Sequence, residues 1–535
     1  MRTPNLANYL ENATLAHPDK LALIFDGQGQ WTFKELDGMI NRVANGLIDL
    51  GVKKGDRVTL FLPNSPEAIF FLFGTIKMGG IVNSLNMLLK ERELEYIVDN
   101  CEPVILVTAK EVIDAPLKVF NKPGNKIKAM ILIDGEGDKG RNIINYENWV
   151  KKYSNEFDAV SVDGDELALI LYTSGTTGRP KGVMLTHINL WTNARHCADW
   201  AETTYKDIEV ASLPLFHVYA ISHVMGELWM SAVTIVYQKR FDATQTLEAL
   251  VKYNATVFHG VATMYYALVN HPKVDEYAKQ IHLRYCVTGA AVTPEPILRA
   301  WNQKFTPLSE GYGITEAAPV VFMNPLPGKG VQKANSCGVP IVPEIEVNAF
   351  DDNDKPVKTG EVGELVIRGP NVMKGYWKNE QATAEALKNG WLHTGDMVYY
   401  DEDGYCFVKD RKKDMICRAA FNIYPKEIED LIYTHPAVGE AQVVGIPDLL
   451  KGEEVVACIA LKPGQKLSEE EVIKFCKDNL AVYKAPKYVR FFEQLSNFVY
   501  GLFSNVSLFF ILMPLLSLCL PSHHQQTLPL LRHEV

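Results

Sequence analysis

The chain has 535 residues, of which 47% are hydrophobic and 22% are charged. This composition is typical of globular proteins, has room for roughly two to four domains, and excludes a chain that is mostly disordered or fibrous. The 54 basic and 64 acidic residues give a net charge of −10, which argues against a general nucleic-acid-binding protein.

The cysteines and the N-terminal residues together indicate the cellular compartment of the protein. The nine cysteines are scattered and include no Cys-x-x-Cys pair. An odd number without metal-ligand spacing argues against a disulfide framework and against a zinc cluster. The N-terminal residues lack the continuous apolar core of a signal peptide. We therefore predict a cytoplasmic protein of a reducing compartment.

Apolar runs with strand character alternate with helical patterns in the first third of the chain. The spacing predicts a helix over 32–50 and strands over 21–25, 58–61, 104–107, 130–133 and 167–172. Such alternation predicts an α/β fold with parallel sheets. Residues 338–408 differ, because Asp, Asn and Gly turns separate short alternating strands, and they predict a small antiparallel or β-barrel-like part.

Residues 411–495 alternate again on a smaller scale and predict a separate α+β domain. Helices are expected over 425–434 and 468–480, and strands over 441–446 and 455–461. Ser468 and Glu471 fit a capping box at a helix start. The charged segment Lys409–Asp414, which precedes this domain, is interpreted either as an interdomain hinge or as a solvated turn.

The sharpest local signal is the string Tyr-Thr-Ser-Gly-Thr-Thr-Gly-Arg-Pro-Lys-Gly at 172–182. Its glycines let backbone N–H groups approach phosphate oxygens, and its hydroxyls and lysine add hydrogen-bond donors. It is not a Walker A motif, because Pro180 stands at the second glycine position and Gly182 follows Lys181. Composition alone leaves a flexible Gly/Thr loop without a ligand as the alternative.

This string resembles the phosphate-loop signature of the adenylate-forming (AMP-binding) superfamily, which includes the fatty acyl-CoA synthetases. Further segments resemble motifs of that family, in matching order and spacing over roughly residues 5–495. They are Ser309–Glu316 (adenine and magnesium), Trp391–Asp396 (ribose), Asp410–Asp414 (hinge) and Asn422–Glu429 (start of a mobile domain).

The resemblance implies an α/β fold with a large N-terminal domain of parallel α/β sheets plus a small β-barrel-like part. A small mobile α+β domain is expected to follow. We place an AMP-binding adenylation domain at 1–410, the mobile C-terminal domain at 411–497 and a divergent apolar tail at 498–535.

The resemblance also assigns roles to individual residues. The residues expected to contact ATP or AMP are Thr173, Ser174, Gly175, Thr176, Thr177, Gly178, Lys181, Gly289, Ala290, Gly311, Tyr312, Gly313, Thr315, Asp396 and Arg411. Those expected to act in catalysis are Lys181, His217, Glu316 and Arg411, with Thr177 and Glu316 holding Mg²⁺ and Lys413 as the hinge residue.

Each role has a physical reason and a plainer alternative. The Tyr312 ring offers a face for adenine, Asp396 can accept hydrogen bonds from the ribose hydroxyls, and His217 is expected beside the reacting carboxylate. Magnesium takes one or two protein ligands beside its nucleotide. Without the motifs, Tyr312 and His217 are interpreted as core residues, and Glu316 and Arg411 as surface residues.

The implied reaction has two steps. A carboxylate attacks the α-phosphate of ATP and pyrophosphate leaves, and the thiol of coenzyme A then attacks the acyl-adenylate and AMP leaves. The expected requirements are ATP, Mg²⁺, coenzyme A and a medium- or long-chain fatty acid. The alternatives are an aryl-acid CoA ligase and a non-catalytic relative that binds nucleotide or fatty acid.

Two departures from the family predict impaired activity. Ala419 and Ala420 replace a glycine pair, and alanine adopts positive φ only at a cost of ~1 kcal/mol or more, which puts the thiol step in doubt. Leu502 aligns with a catalytic lysine of the family, and Lys487 is the last lysine in the chain. Loss of one preorganised charge donor slows a reaction by about 10²–10³.

The tail carries a mostly apolar segment, residues 498–520. Its length is enough for a helix that spans a bilayer. Glycine, proline and polar residues interrupt it, and basic flanking residues are sparse. A membrane anchor, a non-homologous end and a membrane-surface segment all remain open, so membrane association through 498–520 stays a prediction.

Overall fold

The computed structural model describes residues 5–25, 27–173, 180–290, 293–341, 343–411, 416–418, 421–423, 425–448, 452–480, 484–493 and 495. These residues form two compact units. The large unit contains the described residues up to Thr173 and those of Pro180–Val408, and the small unit contains those from Lys409 onward.

The helices of the large unit lie between its strands in sequence. The α-helices are α1 (Asn8–Ala16), α2 (Phe33–Asp49), α3 (Pro66–Lys77), α4 (Glu91–Cys101), α5 (Asp114–Phe120), α6 (Tyr146–Val150), α7 (His187–Ala201), α8 (Leu228–Met230), α9 (Ala243–Lys252), α10 (Ala262–Val269), α11 (Val274–Ala278), α12 (Glu295–Asn302) and α13 (Glu380–Ala386). A π-helix spans Tyr219–Glu227, and short 3₁₀ turns span Lys110–Val112, Lys139–Arg141 and Thr315–Ala317.

The strands of the large unit form three sheets. They are β1 (Leu21–Phe25), β2 (Gly29–Thr32), β3 (Arg57–Phe61), β4 (Ile81–Ser84), β5 (Ile105–Ala109), β6 (Ala129–Ile133), β7 (Ile143–Asn145), β8 (Leu167–Thr173), β9 (Lys181–Thr186), β10 (Ile208–Ala211), β11 (Thr234–Tyr237), β12 (Val257–Gly260), β13 (Tyr285–Thr288), β14 (Leu308–Gly313), β15 (Val320–Met323), β16 (Val339–Pro340), β17 (Glu346–Phe350), β18 (Gly363–Arg368), β19 (Gly375–Tyr376), β20 (Leu387–Lys388), β21 (Trp391–Tyr400) and β22 (Cys406–Arg411).

The first sheet has nine strands in the order β16-β15-β14-β13-β12-β10-β11-β1-β2. Its strands run parallel from β14 to β1, and β2, β15 and β16 add antiparallel edges. Gly260 pairs with Thr288, and Thr288 pairs with Glu310. The carboxyl ends of β12 and β13 therefore lie side by side, next to Glu310 in the middle of β14.

The second sheet has eight strands in the order β19-β9-β8-β4-β3-β5-β6-β7. It is parallel from β8 to β7, whereas β9 is antiparallel to β8 and β19 is antiparallel to β9. The third sheet has the order β17-β18-β21-β20, with β22 on β21, and its pairs β17–β18, β18–β21 and β20–β21 are antiparallel. It occupies the part of the chain for which the sequence predicts an antiparallel structure.

Local sequence signals explain several of these elements. The five predicted strands are β1, β3, β5, β6 and β8, and their ends agree with the prediction within two residues. The predicted helix over 32–50 is α2, and Thr32 caps it. The Thr32 hydroxyl accepts a hydrogen bond from the Glu35 N–H at 3.2 Å, and the Glu35 carboxylate accepts one from the Thr32 N–H at 2.8 Å.

Helix α3 is the central helix of the large core. Almost all of its residues are buried, which is the pattern of a helix enclosed on every side. It packs so closely on α2 that a Cβ on Gly74 would lie 2.8 Å from Val43 Cγ1. A side chain at position 74 would push the two helices apart.

The small unit has its own hydrophobic core. Its elements are β23 (Ile416–Arg418), β24 (Phe421–Ile423), α14 (Pro425–Tyr433), β25 (Val438–Asp448), β26 (Gly452–Leu461), α15 (Glu469–Asn479) and β27 (Tyr488–Phe492). The sheet order is β24-β23-β26-β25, with β27 parallel to β26. The Ser468 side chain caps α15 in a capping box with Glu471, which confirms the predicted helix start.

The structure gives different outcomes for three predictions, namely the hinge, the Ala419–Ala420 substitution and the apolar tail segment. The segment interpreted as a hinge or turn begins as strand, because β22 continues to Arg411. Lys413, Ala419 and Ala420 lie outside the described residues, and so does the apolar segment 498–520. Within the described ranges no helix is both long and apolar enough to cross a membrane.

Candidate active site

Several predicted ligand-binding residues meet where β13 and β14 approach their carboxyl ends. A Cβ placed on Gly289 would lie 3.7 Å from the Gly311 carbonyl oxygen and 3.7 Å from Tyr219 Cε1. Gly289 and Gly311 are therefore neighbours, and the Tyr219 ring borders them. Crevices at the carboxyl ends of parallel strands are where open α/β sheets bind ligands.

Ala290, which follows Gly289, has a left-handed backbone with φ of 67°. Residues other than glycine adopt this conformation at a cost of about 1 kcal/mol or more. Strained residues of this kind cluster at functional sites. The conformation is consistent with the predicted position of Ala290 beside the nucleotide.

Two glycines in β14 let the neighbouring strand approach. A Cβ on Gly313 would lie 2.4 Å from the Pro319 carbonyl oxygen, and one on Gly311 would lie 2.2 Å from Met323 Sδ. A side chain at position 313 would therefore meet backbone, and one at position 311 would displace the Met323 side chain. Tyr312 lies between these glycines, so the pairing of β14 with β15 fixes the position of its backbone.

Tyr312 and Asp396, which lie far apart in the sequence, are in contact in the structure. The Tyr312 hydroxyl donates a hydrogen bond to Asp396 Oδ2 across 84 positions of sequence. Asp396 is 5% exposed, and its backbone N–H donates to Thr394 Oγ1 at 3.1 Å. Burial, followed by the adjacent Asp396 carboxylate, raises the pKa of Tyr312. Two residues predicted to bind the nucleotide are therefore in direct contact.

Glu316 and Lys181 are joined through Tyr376. The Tyr376 hydroxyl donates to Glu316 Oε1 at 3.0 Å, and Lys181 Nζ lies 5.1 Å from the centre of the Tyr376 ring. Burial and the Glu316 carboxylate raise the pKa of Tyr376. The sequence motifs did not include Tyr376, because its role arises from the pairing of β19 with β9.

The ends of the phosphate loop are ordered by the second sheet. Thr173 ends β8, Lys181 begins β9, and the two residues are register partners. The loop therefore connects two antiparallel strands, unlike the strand-to-helix loop of a Walker A motif. The loop residues Ser174, Gly175, Thr176, Thr177 and Gly178 lie outside the described residues.

His217 is exposed to water, which contradicts its alternative interpretation as a buried core residue. Its Nδ1 accepts a hydrogen bond from the Tyr219 N–H at 3.2 Å. Because Nδ1 accepts this bond, the neutral ring carries its proton on Nε2.

The remaining predicted residues are placed only in part. Thr315 and Glu316 belong to the 3₁₀ turn Thr315–Ala317. Arg411 is the last residue of β22, and its side chain lies outside the described part of the structure. The roles of Arg411 and Lys413 stay predictions.

Comparison with known proteins shows the family of this chain. The AMP-binding enzyme family matches residues 10–377, and the AMP-binding enzyme C-terminal domain matches residues 427–497. The chain therefore belongs to the AMP-binding enzyme family. It is an enzyme of the adenylate-forming, acyl-CoA synthetase type, and enzymes of this type use ATP, Mg²⁺ and coenzyme A.

Individual relatives cover most of the chain. A long-chain-fatty-acid–CoA ligase of Bacillus subtilis (strain 168) is 34% identical and covers 93% of this chain and 92% of its own. A feruloyl-CoA synthase of Amycolatopsis sp. is 33% identical, covering 92% and 96%. The crystal structure of ATP-bound MatB from Rhodopseudomonas palustris superimposes with a TM-score of 0.85 at 31% identity, covering 92% and 95%.

Proposed function

We propose that this chain activates a medium- or long-chain fatty acid as an acyl-adenylate and transfers the acyl group to coenzyme A. The observation that carries the proposal is the pair of contacts around β14. Tyr312 contacts Asp396, and Glu316, four residues further along, contacts Tyr376 beside Lys181. These contacts unite groups suited to adenine, ribose and phosphate in one unit.

The nucleotide is held by groups of fixed orientation. The Tyr312 hydroxyl is anchored on Asp396, so the ring keeps its place for stacking on adenine. The Asp396 carboxylate accepts hydrogen bonds from the ribose hydroxyls. Gly289 and Ala290 supply the backbone wall beside them, where a larger residue at position 289 would approach the Gly311 carbonyl.

The phosphates meet Lys181 and Glu316. The Lys181 ammonium donates to phosphate oxygens and offsets charge that builds up as pyrophosphate leaves. Glu316 fits a magnesium ligand, because Mg²⁺ prefers carboxylate oxygens and Tyr376 fixes the orientation of this carboxylate. Thr177 is the proposed second protein ligand. Bound Mg²⁺ would supply further charge neutralisation to the phosphates.

The acid is oriented by His217. Since Nδ1 accepts the Tyr219 N–H, the Nε2–H is the group available as a donor to the substrate carboxylate or to the acyl-adenylate mixed anhydride. One carboxylate oxygen bonds to the α-phosphorus. The bond from the α-phosphorus to the bridging oxygen breaks, and pyrophosphate leaves with that oxygen. The thiol sulfur then bonds to the acyl carbon, its proton passes to solvent, and AMP leaves.

The fatty-acid preference is supported by the 34% identical long-chain relative. An aryl acid is the second candidate, because the feruloyl-CoA synthase matches at nearly the same identity. The position of Leu502 and the absence of any lysine after Lys487 favour slow turnover over full activity.

The test is single-turnover release of pyrophosphate from ATP with Mg²⁺ and hexanoate, palmitate or a cinnamate-type acid, followed by coenzyme A. The unaltered chain is compared with Leu502→Lys. We expect slow release that is greatest with a fatty acid and that rises about 10²–10³-fold in Leu502→Lys.

The matched control is Leu516→Lys, which adds the same charge elsewhere in the tail and should leave the rate unchanged. A cinnamate-type acid as the best substrate would favour the aryl-acid ligase. ATP binding without pyrophosphate release from either chain would overturn the enzymatic proposal.

A further inference from the structure

A group of polar side chains that the adenylation chemistry does not use is packed inside the large unit. Each of these residues is 0–2% exposed, and they come from α7, the π-helix and three neighbouring strands of the first sheet. They are Cys197, Glu209, His223, Glu227, His259 and Tyr285. We call them the buried polar cluster.

Donor atoms suited to a metal ion converge in this cluster. The Cys197 sulfur, a His223 ring nitrogen and a Glu227 carboxylate oxygen all lie within 4.8 Å of one another. His223 Nε2 lies 2.9 Å and His259 Nε2 lies 3.9 Å from Glu227 Oε2. Thiolate, imidazole and carboxylate are the donors that Zn²⁺ takes in proteins.

One of these donor atoms has no hydrogen-bond partner, and a second is only partly satisfied. Among the residues that the structure describes, His259 Nε2 makes no hydrogen bond, and Glu227 Oε2 makes none of normal geometry although His223 Nε2 lies 2.9 Å away. Buried polar atoms are nearly always paired, and those that are not call for an explanation such as an ion or a water molecule. A bound cation would satisfy both atoms.

The surroundings of the donors match those of metal ligands. The Tyr285 hydroxyl donates to Glu227 Oε1 at 2.6 Å, which orients the carboxylate. Glu209 Oε1 accepts the His259 backbone N–H at 3.0 Å and lies 3.3 Å from His259 Nδ1, which makes no hydrogen bond of normal geometry among the described residues. Metal-bound histidines commonly give their other ring N–H to a carboxylate, which fixes the tautomer that binds the metal.

We propose that Cys197, His223, Glu227 and His259 bind one Zn²⁺ ion inside the large unit. Four protein ligands without an open position define a structural site. On binding, a Zn–S bond forms and the Cys197 thiol proton leaves to solvent. The ion would tie α7 and β12 to the π-helix, which begins two residues after His217. The proposal is independent of Mg²⁺ at Glu316 and of turnover.

The first test is the metal content of the full chain, grown with zinc and purified without a metal-affinity step. After dialysis against zinc-free buffer we expect about one zinc per chain by elemental mass spectrometry. Replacement by Co²⁺ should give a thiolate-to-cobalt charge-transfer band and the visible absorption of a tetrahedral ion. Protein without stoichiometric zinc and without these bands would overturn the proposal.

Cysteine variants test whether Cys197 is a ligand of the zinc ion. Cys197→Ala should lose the cobalt–thiolate band and most of the zinc. The matched control is Cys286→Ala, a buried cysteine of the same unit whose sulfur donates to the Thr306 carbonyl outside the cluster, and it should retain both. Equal loss in the two variants, or none in either, contradicts the assignment.

A milder variant keeps the test decisive if Cys197→Ala fails to fold. Tyr285→Phe removes only the hydroxyl that orients Glu227 and should weaken zinc binding about 10- to 100-fold. An unchanged affinity in folded Tyr285→Phe counts against the site. Metal content is measured without ATP or coenzyme A, so an inactive ligase would leave this result interpretable.

Discussion

Tyr376 illustrates how one hydroxyl can order the phosphate end of the site. It reaches Glu316 from a two-residue strand, while its ring lies beneath the Lys181 ammonium. The geometry makes Tyr376 a positioning residue, since it acts through Glu316 and Lys181.

Tyr376→Phe is expected to lower kcat/KM for ATP about tenfold, because a hydrogen bond to a charged group contributes about 1.5–3 kcal/mol. The loss should shrink as the Mg²⁺ concentration rises, since a less ordered Glu316 binds the ion more weakly. Pyrophosphate release across a magnesium titration measures both effects.

The matched control is Tyr146→Phe, which removes a buried hydroxyl without a hydrogen-bond partner among the described residues. It should leave the magnesium dependence unchanged. An equal change in the two variants would show that Tyr376 has no special role in positioning Glu316.

At the scale of elements, the pairing of β14 with β15 depends on two glycines that are not equivalent. An added methyl at Gly313 meets a backbone oxygen, whereas one at Gly311 meets the side chain of Met323. A backbone atom cannot move without its strand, but a methionine side chain can change rotamer.

Gly313→Ala should therefore destabilise the large unit by about 1–3 kcal/mol and raise KM for ATP, since overpacking shifts the strand that carries Tyr312. Gly311→Ala should have a smaller effect on both quantities. Urea unfolding and ATP titration of the two variants provide the comparison. Equal losses would mean that the strand relaxes freely at both positions.

Helix α7 depends on a histidine that must stay neutral. The Leu6 N–H donates to His187 Nδ1 at 3.0 Å, and His187 is 1% exposed. Burial lowers the pKa of His187 to about 4. Because the unfolded chain takes up this proton near the ordinary pKa of about 6.5, protonation favours unfolding.

The free energy of unfolding should therefore fall by about 3 kcal/mol as the pH falls from about 6.5 to about 4. Above about pH 6.5 the neutral His187 should give its full contribution to stability. The difference in urea midpoint between about pH 7 and about pH 5 measures the effect. It should be reduced in His187→Gln and retained in the exposed control His282→Gln. A His187→Gln variant with the full pH dependence would refute the assignment.

At the scale of the whole molecule, each unit contains an ion pair in which one partner is fully buried. Lys77, 1% exposed, contacts Asp37 at 2.7 Å and Glu11 at 2.9 Å in the large unit. Glu454, 0% exposed, contacts Arg418 at 2.8 Å and Lys487 at 3.7 Å in the small unit. Separate cores and separate ion pairs favour separate unfolding.

Removing one partner of a buried pair costs about 3–5 kcal/mol. Arg418→Met, which leaves the buried Glu454 with a weaker partner, is therefore expected to lower the melting temperature of the small unit alone, and Asp37→Asn, which does the same to the buried Lys77, that of the large unit alone. Differential scanning calorimetry resolves the two transitions. A single transition that both variants shift equally would show that the chain unfolds as one cooperative block.

The sequence by itself determined the elements and the family. Thr32 with Glu35, and Ser468 with Glu471, define helix starts through contacts three residues apart, so the signal is local. The apolar runs of β1, β3, β5, β6 and β8 predict strands for the same reason. The phosphate-loop string and the motifs that follow it identified the AMP-binding family, which the comparisons confirmed.

Only the tertiary structure decided which side chains meet. The Tyr312–Asp396 contact spans 84 positions and the Glu316–Tyr376 contact spans 60, so both depend on the register of sheets. The scattered cysteines argued against a zinc cluster, yet folding brings Cys197 beside His223 and Glu227. Local spacing carries no record of such proximity, because strand order and helix packing place residues together irrespective of their distance along the chain.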